Sequence, residues 1–363
     1  MKYFFISIII ILSISCIDTK EKNYSNSLKI VDSLVIRIPD TIKSPKPLEF
    51  YSFDNNKLII SDYTSNPAKL NIFDILNYKW SQIQIDNAEM GLPNEYPFNY
   101  KNDSLYILDH LRNKIYLKYE NNFNKVNLDC SATNKLFLSQ NKSPKIGINN
   151  NILVGTTSAE VKFENFKSKL DNYKSLSLMN KDECIYFNGY NDSYFKNATI
   201  VVNDIEPIFT INDKHIATIY PKSQKLKIFN YEGVKINEVD VSNDMIYSYK
   251  ITGDEIKNAF FRYYSGLHNE ILYDDINEIY YLISTIFFNE NDLKKIEADF
   301  NPDKAIKNKK IIIQTFDSDF NAIDVSVFKN IHSAFCFVNN GNLYLRKDEL
   351  SDEESIKFVK LSF

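Results

Sequence analysis

Two aspartates at equivalent places and four histidines are the groups of this chain whose types could do chemistry. Asp62 and Asp109 each stand four residues beyond a similar apolar residue, Leu58 and Leu105. Two carboxylates repeated in this way invite a glycosidase reading, because acid/base hydrolysis of a glycoside needs a pair at defined separation. An aspartate that opens a turn and accepts backbone N–H bonds explains the same placement without chemistry. His268 follows closely on Arg262, Tyr263 and Tyr264. A titratable ring, a cation and aromatic rings together make a candidate ligand site. His110 directly follows Asp109, while His215 and His332 adjoin strand-like runs and read as structural. None of the histidines has metal-binding spacing, and no GxSxG elbow or Gly-rich phosphate loop occurs, so neither metal nor cofactor is expected.

The elements that must position these groups are short runs of Ile, Tyr, Phe, Leu and Val broken by Asn and Asp, the pattern of strands and turns. One phrase recurs: an apolar strand, an Asn/Asp turn, a second strand. It reads FYSFDNNKLIISD, FNYKNDSLYILD, KIGINNNILVGT, IFTINDKHIATIY, EILYDDINEIYYLI and AFCFVNNGNLYLR. Anchored at Leu58, Leu105, Ile152, Ile216, Ile279 and Leu343, the copies are spaced by 47, 47, 64, 63 and 64 residues. Such periods predict an all-β chain, a six-bladed β-propeller with four strands per blade. The last blade offers three strands, and 33–39 is an orphan strand ahead of the first blade. Pairing the two would close the ring and leave no seam. The longer units each hold a segment of helical period, at 160–176, 254–264 and 291–300. Placed between strands B and C or between blades, these three short helical inserts should decorate one face of the disc. The candidate ligand-binding face is therefore the one bearing the inserts, with Arg262, Tyr263, Tyr264, His268, Asp62, Asp109 and His110.

The chain opens with one lysine, then an apolar run from Tyr3 to Ile14 that ends at Ser13–Ser15 and Cys16. The run is short for a membrane span and fits a secretory signal. It resembles a bacterial lipoprotein signal, which implies acyl chains on Cys16. The expected organisation is a signal peptide over 1–15, a polar tether over 16–27 and the propeller over 28–363.

The strand phrasing is similar to that of NHL-type repeats. RYYSGLHNEILYDDINEIYYLI looks like the tyrosine-rich strand, "YD" turn and "YY" strand of Bacteroidota lipoproteins in the TolB-like propeller group, domain of unknown function family 4221. Tyr273-Asp274 and Tyr280-Tyr281 fit that phrase, and Leu282 stands where the family usually has arginine. The resemblance implies fold and address, with no activity to carry over.

Of 363 residues 44% are hydrophobic and 25% charged, which describes a globular chain, and a net charge of −4 gives no basic face for nucleic acid. Cys130, Cys184 and Cys336 match no zinc or redox spacing. Cys184 and Cys336 sit in strand-like runs and read as buried thiols, with one disulfide left open. Trp80, at the start of a D strand, is expected to pack an outer blade edge. The functional expectation is a monomeric binding or scaffold module for a peptide, glycan or protein, held by lipid to the outer membrane, periplasmic or surface-exposed. An envelope hydrolase using Asp62 or Asp109 is the alternative.

Overall fold

The computed structural model describes residues 27–40, 42, 51–62, 69–85, 98–109, 114–119, 122–127, 135–136, 146–149, 152–158, 174–179, 183–189, 207–241, 246, 266–288, 309–329, 331–347 and 355–363. Among these residues every regular element is a β-strand. After β1 (Lys29–Arg37), blade I is β2 (Tyr51–Asp54), β3 (Lys57–Asp62), β4 (Lys69–Asp74) and β5 (Lys79–Gln84). Blade II is β6 (Phe98–Lys101), β7 (Ser104–Asp109), β8 (Lys114–Tyr119) and β9 (Asn122–Asn127). Blade III is β11 (Ile146–Asn149), β12 (Ile152–Ser158), β13 (Lys174–Met179) and β14 (Cys184–Gly189), with β10 (Lys135–Leu136) paired to the far end of β12. Blade IV is β15 (Ile208–Ile211), β16 (Ile216–Ile219), β17 (Lys225–Phe229) and β18 (Lys235–Asp240). Blade V is β19 (Leu267–Asp274), β20 (Ile279–Ile286), β21 (Lys310–Phe316) and β22 (Ala322–Phe328). Blade VI is β23 (Ile331–Asn339), β24 (Asn342–Lys347) and β25 (Ser355–Ser362), completed by β1. The chain is an all-β, six-bladed propeller, and within each blade the strands run A, B, C, D outward from the axis.

The recurring phrase is the A–B hairpin of each blade. Its register pairs Phe53 with Leu58, Tyr100 with Leu105, Asn149 with Ile152, Ile211 with Ile216, Asp274 with Ile279 and Val338 with Leu343. Turn chemistry sets that register. Asn55-Asn56, Asn102-Asp103 and Asn340-Gly341 hold positive φ at both central residues, between 46° and 70°. That is the two-residue turn whose twist matches paired strands, and it selects Asn, Asp and Gly. Longer turns are held by a leading aspartate: Asp74 accepts from the N–H groups of Leu76 and Asn77, and Asp274 from those of Ile276 and Asn277. Asp274 is fully buried although the residue after it is exposed, which is how a carboxylate supports a turn from inside.

Closure follows the expected route. β1 lies antiparallel to β25 from Lys29↔Ser362 to Arg37↔Ser355, as the outermost strand of blade VI. The strand begins earlier than 33–39 and ends at Arg37. Its first half is exposed and broken by an irregularity between Ile30 and Asp32, so apolar patterning could not reveal it. Leu28 is buried between blades V and VI, and the Ser27 and Leu28 N–H groups donate to Asp324 Oδ2 and Ser326 Oγ of β22 at 3.2 and 3.3 Å. At the other end of β1, the Trp80 indole N–H donates to the Arg37 carbonyl at 2.9 Å and its ring packs on Phe73. Trp80 thus ties the outer strand of blade I to that of blade VI. A stack of Phe53 on Phe337 at 4.4 Å joins the same blades near the axis.

The helical-period segments at 254–264 and 291–300, and 160–173 of the first, lie outside the described residues. The tail of the first is strand: Lys174, Ser175 and Leu176 open β13, with Ser175 and Leu176 buried in the sheet. Spacing alone misassigned them because a buried strand with apolar residues on both faces also fits a helical stripe. In chain order the three segments fall between β12 and β13, β18 and β19, and β20 and β21. These are B–C and D–A connections, which leave the disc at the end opposite the A–B and C–D turns.

Candidate axial binding site

Six A strands face one another around the axis, each the innermost strand of its blade. They enclose a cavity of about 260 Å³ lined from every blade: Tyr51 to Asp54, Phe98 to Lys101, Gly147-Ile148, Phe209 to Ile211, Leu272-Tyr273 and Cys336 to Val338. On the two long A strands, β19 and β23, only the half next to the A–B turn takes part. The cavity therefore lies in the A–B-turn half of the channel. At the junction of blades III and IV a Cβ on Gly147 would stand 2.9 Å from Ile211 Cδ1 and 3.2 Å from Phe209 Cε2. A larger residue there would push the Ile211 and Phe209 side chains aside.

Side chains of one blade satisfy the inner edge of the next. Ser52 Oγ accepts the Tyr100 N–H at 3.0 Å and donates to Asn99 Oδ1 at 3.1 Å. Lys101 Nζ donates to the Ile148 carbonyl at 3.2 Å. Asp54 Oδ2 accepts the Asn102 N–H at 2.8 Å. Further round, Asn212 Nδ2 donates to the Tyr280 hydroxyl at 2.6 Å, and Asn277 Nδ2 to the Gly341 carbonyl at 2.8 Å. Asn339 Nδ2 closes the circuit on Asn56 Oδ1 at 2.8 Å. The asparagines of the turns thus join neighbouring blades as well as shaping hairpins.

Asp54 stands out among the lining groups. Burial raises its carboxyl above the usual range, and the Asn102 N–H and the charge of Lys101 only partly offset this. Maintaining a desolvated carboxylate costs stability, so its place on a cavity wall marks it as a candidate ligand contact. Lys57 pairs with Asp103 beyond it, and Tyr100 donates to the same carboxylate at 2.9 Å. Burial also raises the Tyr273 hydroxyl. The wall as a whole mixes one acid, one base, amide and hydroxyl groups with Phe and Ile faces. That composition suits a ligand with hydrogen-bond donors and an apolar body.

Of the candidate residues read from the sequence, His268 has a described side chain, and it does not line this cavity. His268 is inside β19 and fully buried. Its Nε2 faces the Ser223 carbonyl at 2.9 Å and its Nδ1 the Ser284 hydroxyl at 2.8 Å. A carbonyl only accepts, so Nε2 carries the proton. His268 is a structural link between blades IV and V, not a surface ligand contact. Asp62 and Asp109 end β3 and β7 at the opposite end from the A–B turns, paired in register with Lys69 and Lys114. Their side chains lie outside the described residues, as do Arg262, Tyr263, Tyr264, His110, Cys16 and Cys130. His332 lies within β23, its side chain outside the description. His215 precedes β16, with its ring 5.9 Å from Phe320. Cys336 is a buried free thiol, whereas Cys184 is disulfide-bonded, to a cysteine outside the described residues. Among the described residues no three His, Cys, Asp or Glu side chains form a metal-sized group. Asp54, Lys101 and Thr210 carry no motif, and only their place just before each B-strand anchor identifies them; Tyr273 belongs to the YD phrase of the sequence.

No family model and no curated protein matches the sequence. Solved structures do. A member of the duf4221 family from Bacteroides vulgatus superposes with a TM-score of 0.70 at 14% identity, over 92% of this chain and 97% of that one. A candidate exported protein from Bacteroides fragilis gives 0.49 at 12% identity, over 93% and 96% of the two chains. Virginiamycin B lyase from Staphylococcus aureus gives 0.44 at 9% identity, over 93% and 99%. At such identities the shared property is the fold, and this chain has the six-bladed propeller fold of the duf4221-family protein.

Proposed function

We propose that this chain is a lipid-anchored envelope protein of the duf4221 type whose propeller binds a peptide, glycan or protein segment in its axial cavity. The cavity carries this reading: every blade contributes to it, its wall is mixed in chemistry, and it holds a carboxylate at a cost in stability. A donor-rich ligand would relieve Asp54 by supplying the hydrogen bonds that water supplies elsewhere. Propellers commonly serve as binding or scaffold modules. The apolar run ending at Cys16 supports acylation and an outer-membrane address, on the periplasmic or the outer side. The disulfide at Cys184 fits an oxidising compartment.

The test is to melt the mature domain against peptidoglycan fragments, oligosaccharides and short peptides, and to weigh each compound afterwards. The binding reading expects a rise in Tm with one class, its mass unchanged. A compound cleaved during incubation would replace that reading with the hydrolase one, and no rise with any class would overturn it.

A further inference from the structure

We infer that the axial cavity takes an alkylammonium group, the head of a lysine side chain in a peptide, with Asp54 as its counter-ion. The assignment rests on the axial cavity being the binding site proposed above, and it names the ligand class of that site.

Size sets the first limit. Small-molecule pockets usually enclose about 300–1,000 Å³, and this one encloses about 260 Å³. The lined stretch of β2, from Tyr51 to Asp54, is about 10 Å long. Room of this size and depth suits a single long, unbranched side chain, and an oligosaccharide would have to stay outside.

Charge sets the second limit. Asp54 Oδ2 accepts the Asn102 N–H, and among the described residues Oδ1 makes no hydrogen bond. Burial raises this carboxyl, and neither that N–H nor the charges of Lys101 and Lys57 restores it to the ordinary range. An ammonium beside Oδ1 would supply a donor and an opposite charge together, where a neutral ligand supplies only the donor. Lys101 is the lining group that could favour an anion, but its ammonium already bonds the Ile148 carbonyl across the junction with blade III. Further acids stand close. Burial, then Cys336 and Glu270, raise the Tyr51 hydroxyl, so Glu270 lies near that end of the cavity. Glu270 is itself buried, 6% exposed, two residues below the lining residue Leu272 on β19. Burial first, and after it the charges of Glu278, Asp275 and Asp213, raise the Tyr273 hydroxyl. Those three acids belong to the A–B turns of blades IV and V. An anion would meet acidic groups at the mouth and again at depth, while a cation would be drawn in.

The remaining wall fits the stem of the side chain. Tyr51, Phe98, Phe209, Tyr273 and Phe337 bring one aromatic ring from each of five blades. Methylene groups pack on such rings while the charged head reaches a polar group beyond them.

The test titrates the mature chain, by calorimetry, with three acetylated and amidated pentapeptides, Gly-Gly-X-Gly-Gly, in which X is lysine, norleucine or glutamate. The lysine peptide should bind at least about tenfold more tightly than the norleucine one, and the glutamate peptide should not bind. Asp54→Asn should weaken the lysine peptide by at least about tenfold, and Thr210→Trp should abolish its binding. No binding of the lysine peptide, equal binding of lysine and norleucine, a preference for glutamate, or an unchanged affinity in Asp54→Asn would overturn the ammonium assignment. If a norleucine or glutamate peptide binds the wild type and not Thr210→Trp, the axial site stands and only its ligand class falls. Lysine-peptide binding that survives Thr210→Trp would overturn the axial site itself. The lysine–norleucine comparison needs no variant, so a folding defect in Asp54→Asn leaves it decisive.

Discussion

The Tyr51 hydroxyl donates to the Cys336 carbonyl at 2.9 Å and accepts the Cys336 N–H at 3.2 Å, joining the innermost strands of the first and last blades. One phenol thereby satisfies both main-chain groups of a residue at the inner edge of β23. Burial holds that hydroxyl well above its ordinary pKa, so it stays a neutral donor and acceptor. Tyr51→Phe keeps the ring, including its 4.2 Å edge contact with Phe335, and removes only the oxygen. The expected cost is about 1–3 kcal/mol, the penalty for leaving buried polar groups unpaired. Urea unfolding should show a lower midpoint with an unchanged slope; an unchanged midpoint would mean that the ring closes without this bond.

Leu28 tests the outer closure. Its side chain is 2% exposed among Tyr281, Ile311 and Leu361. Leu28→Ala should cost about 2–5 kcal/mol through the cavity it leaves. Deleting 28–37 should expose the edge of β25 and produce aggregation. A deleted chain that melts like the intact one would show that β1 is dispensable.

His268 separates a structural role from a binding role. Replacing it with leucine strands the Ser223 carbonyl and the Ser284 hydroxyl, at a cost of about 1–3 kcal/mol each. Stability should fall while affinity for any axial ligand is retained. Loss of binding in a chain that still melts normally would return His268 to the functional set.

The repeat and the ring closure were legible in the sequence because hairpin register depends on local turn chemistry. Asn55-Asn56 and Asn340-Gly341 are turn-forming pairs, and the B strands that follow carry an apolar residue, Leu58 or Leu343, at their second position. The axial site was not legible for a geometric reason. Asp54, Lys101 and Thr210 come together only because their blades close into a ring, and no local spacing encodes that. His268 misled because titratable chemistry on paper is the same whether the ring is solvated or buried. A register shift between His268 and Glu270 interrupts β19 beside it, and its ring is held by Ser223 and Ser284. The start of β1 was hidden because an outer strand needs few apolar residues.

His215 should make stability depend on pH. Burial first and Lys214 second lower its pKa from 6.5, against a smaller opposing effect of Asp319. With the folded value depressed, the unfolded chain takes the proton first. Stability is then full above 6.5 and falls as the pH drops below it, levelling once the folded imidazole also protonates. Melting curves of wild type and His215→Phe should diverge between pH 7 and about pH 5. Parallel curves would show that other groups set the acid response.

The binding account is tested most directly by plugging the channel. Thr210 lies on the cavity wall from blade IV, and Thr210→Trp would fill much of the 260 Å³ space. A compound that binds the wild type and is supplied at about 100 times its Kd should add about 2.7 kcal/mol, visible as a rise in Tm. The account predicts that Thr210→Trp folds and shows no such rise. An equal rise in the plugged protein would place the ligand elsewhere on the disc and contradict the axial site.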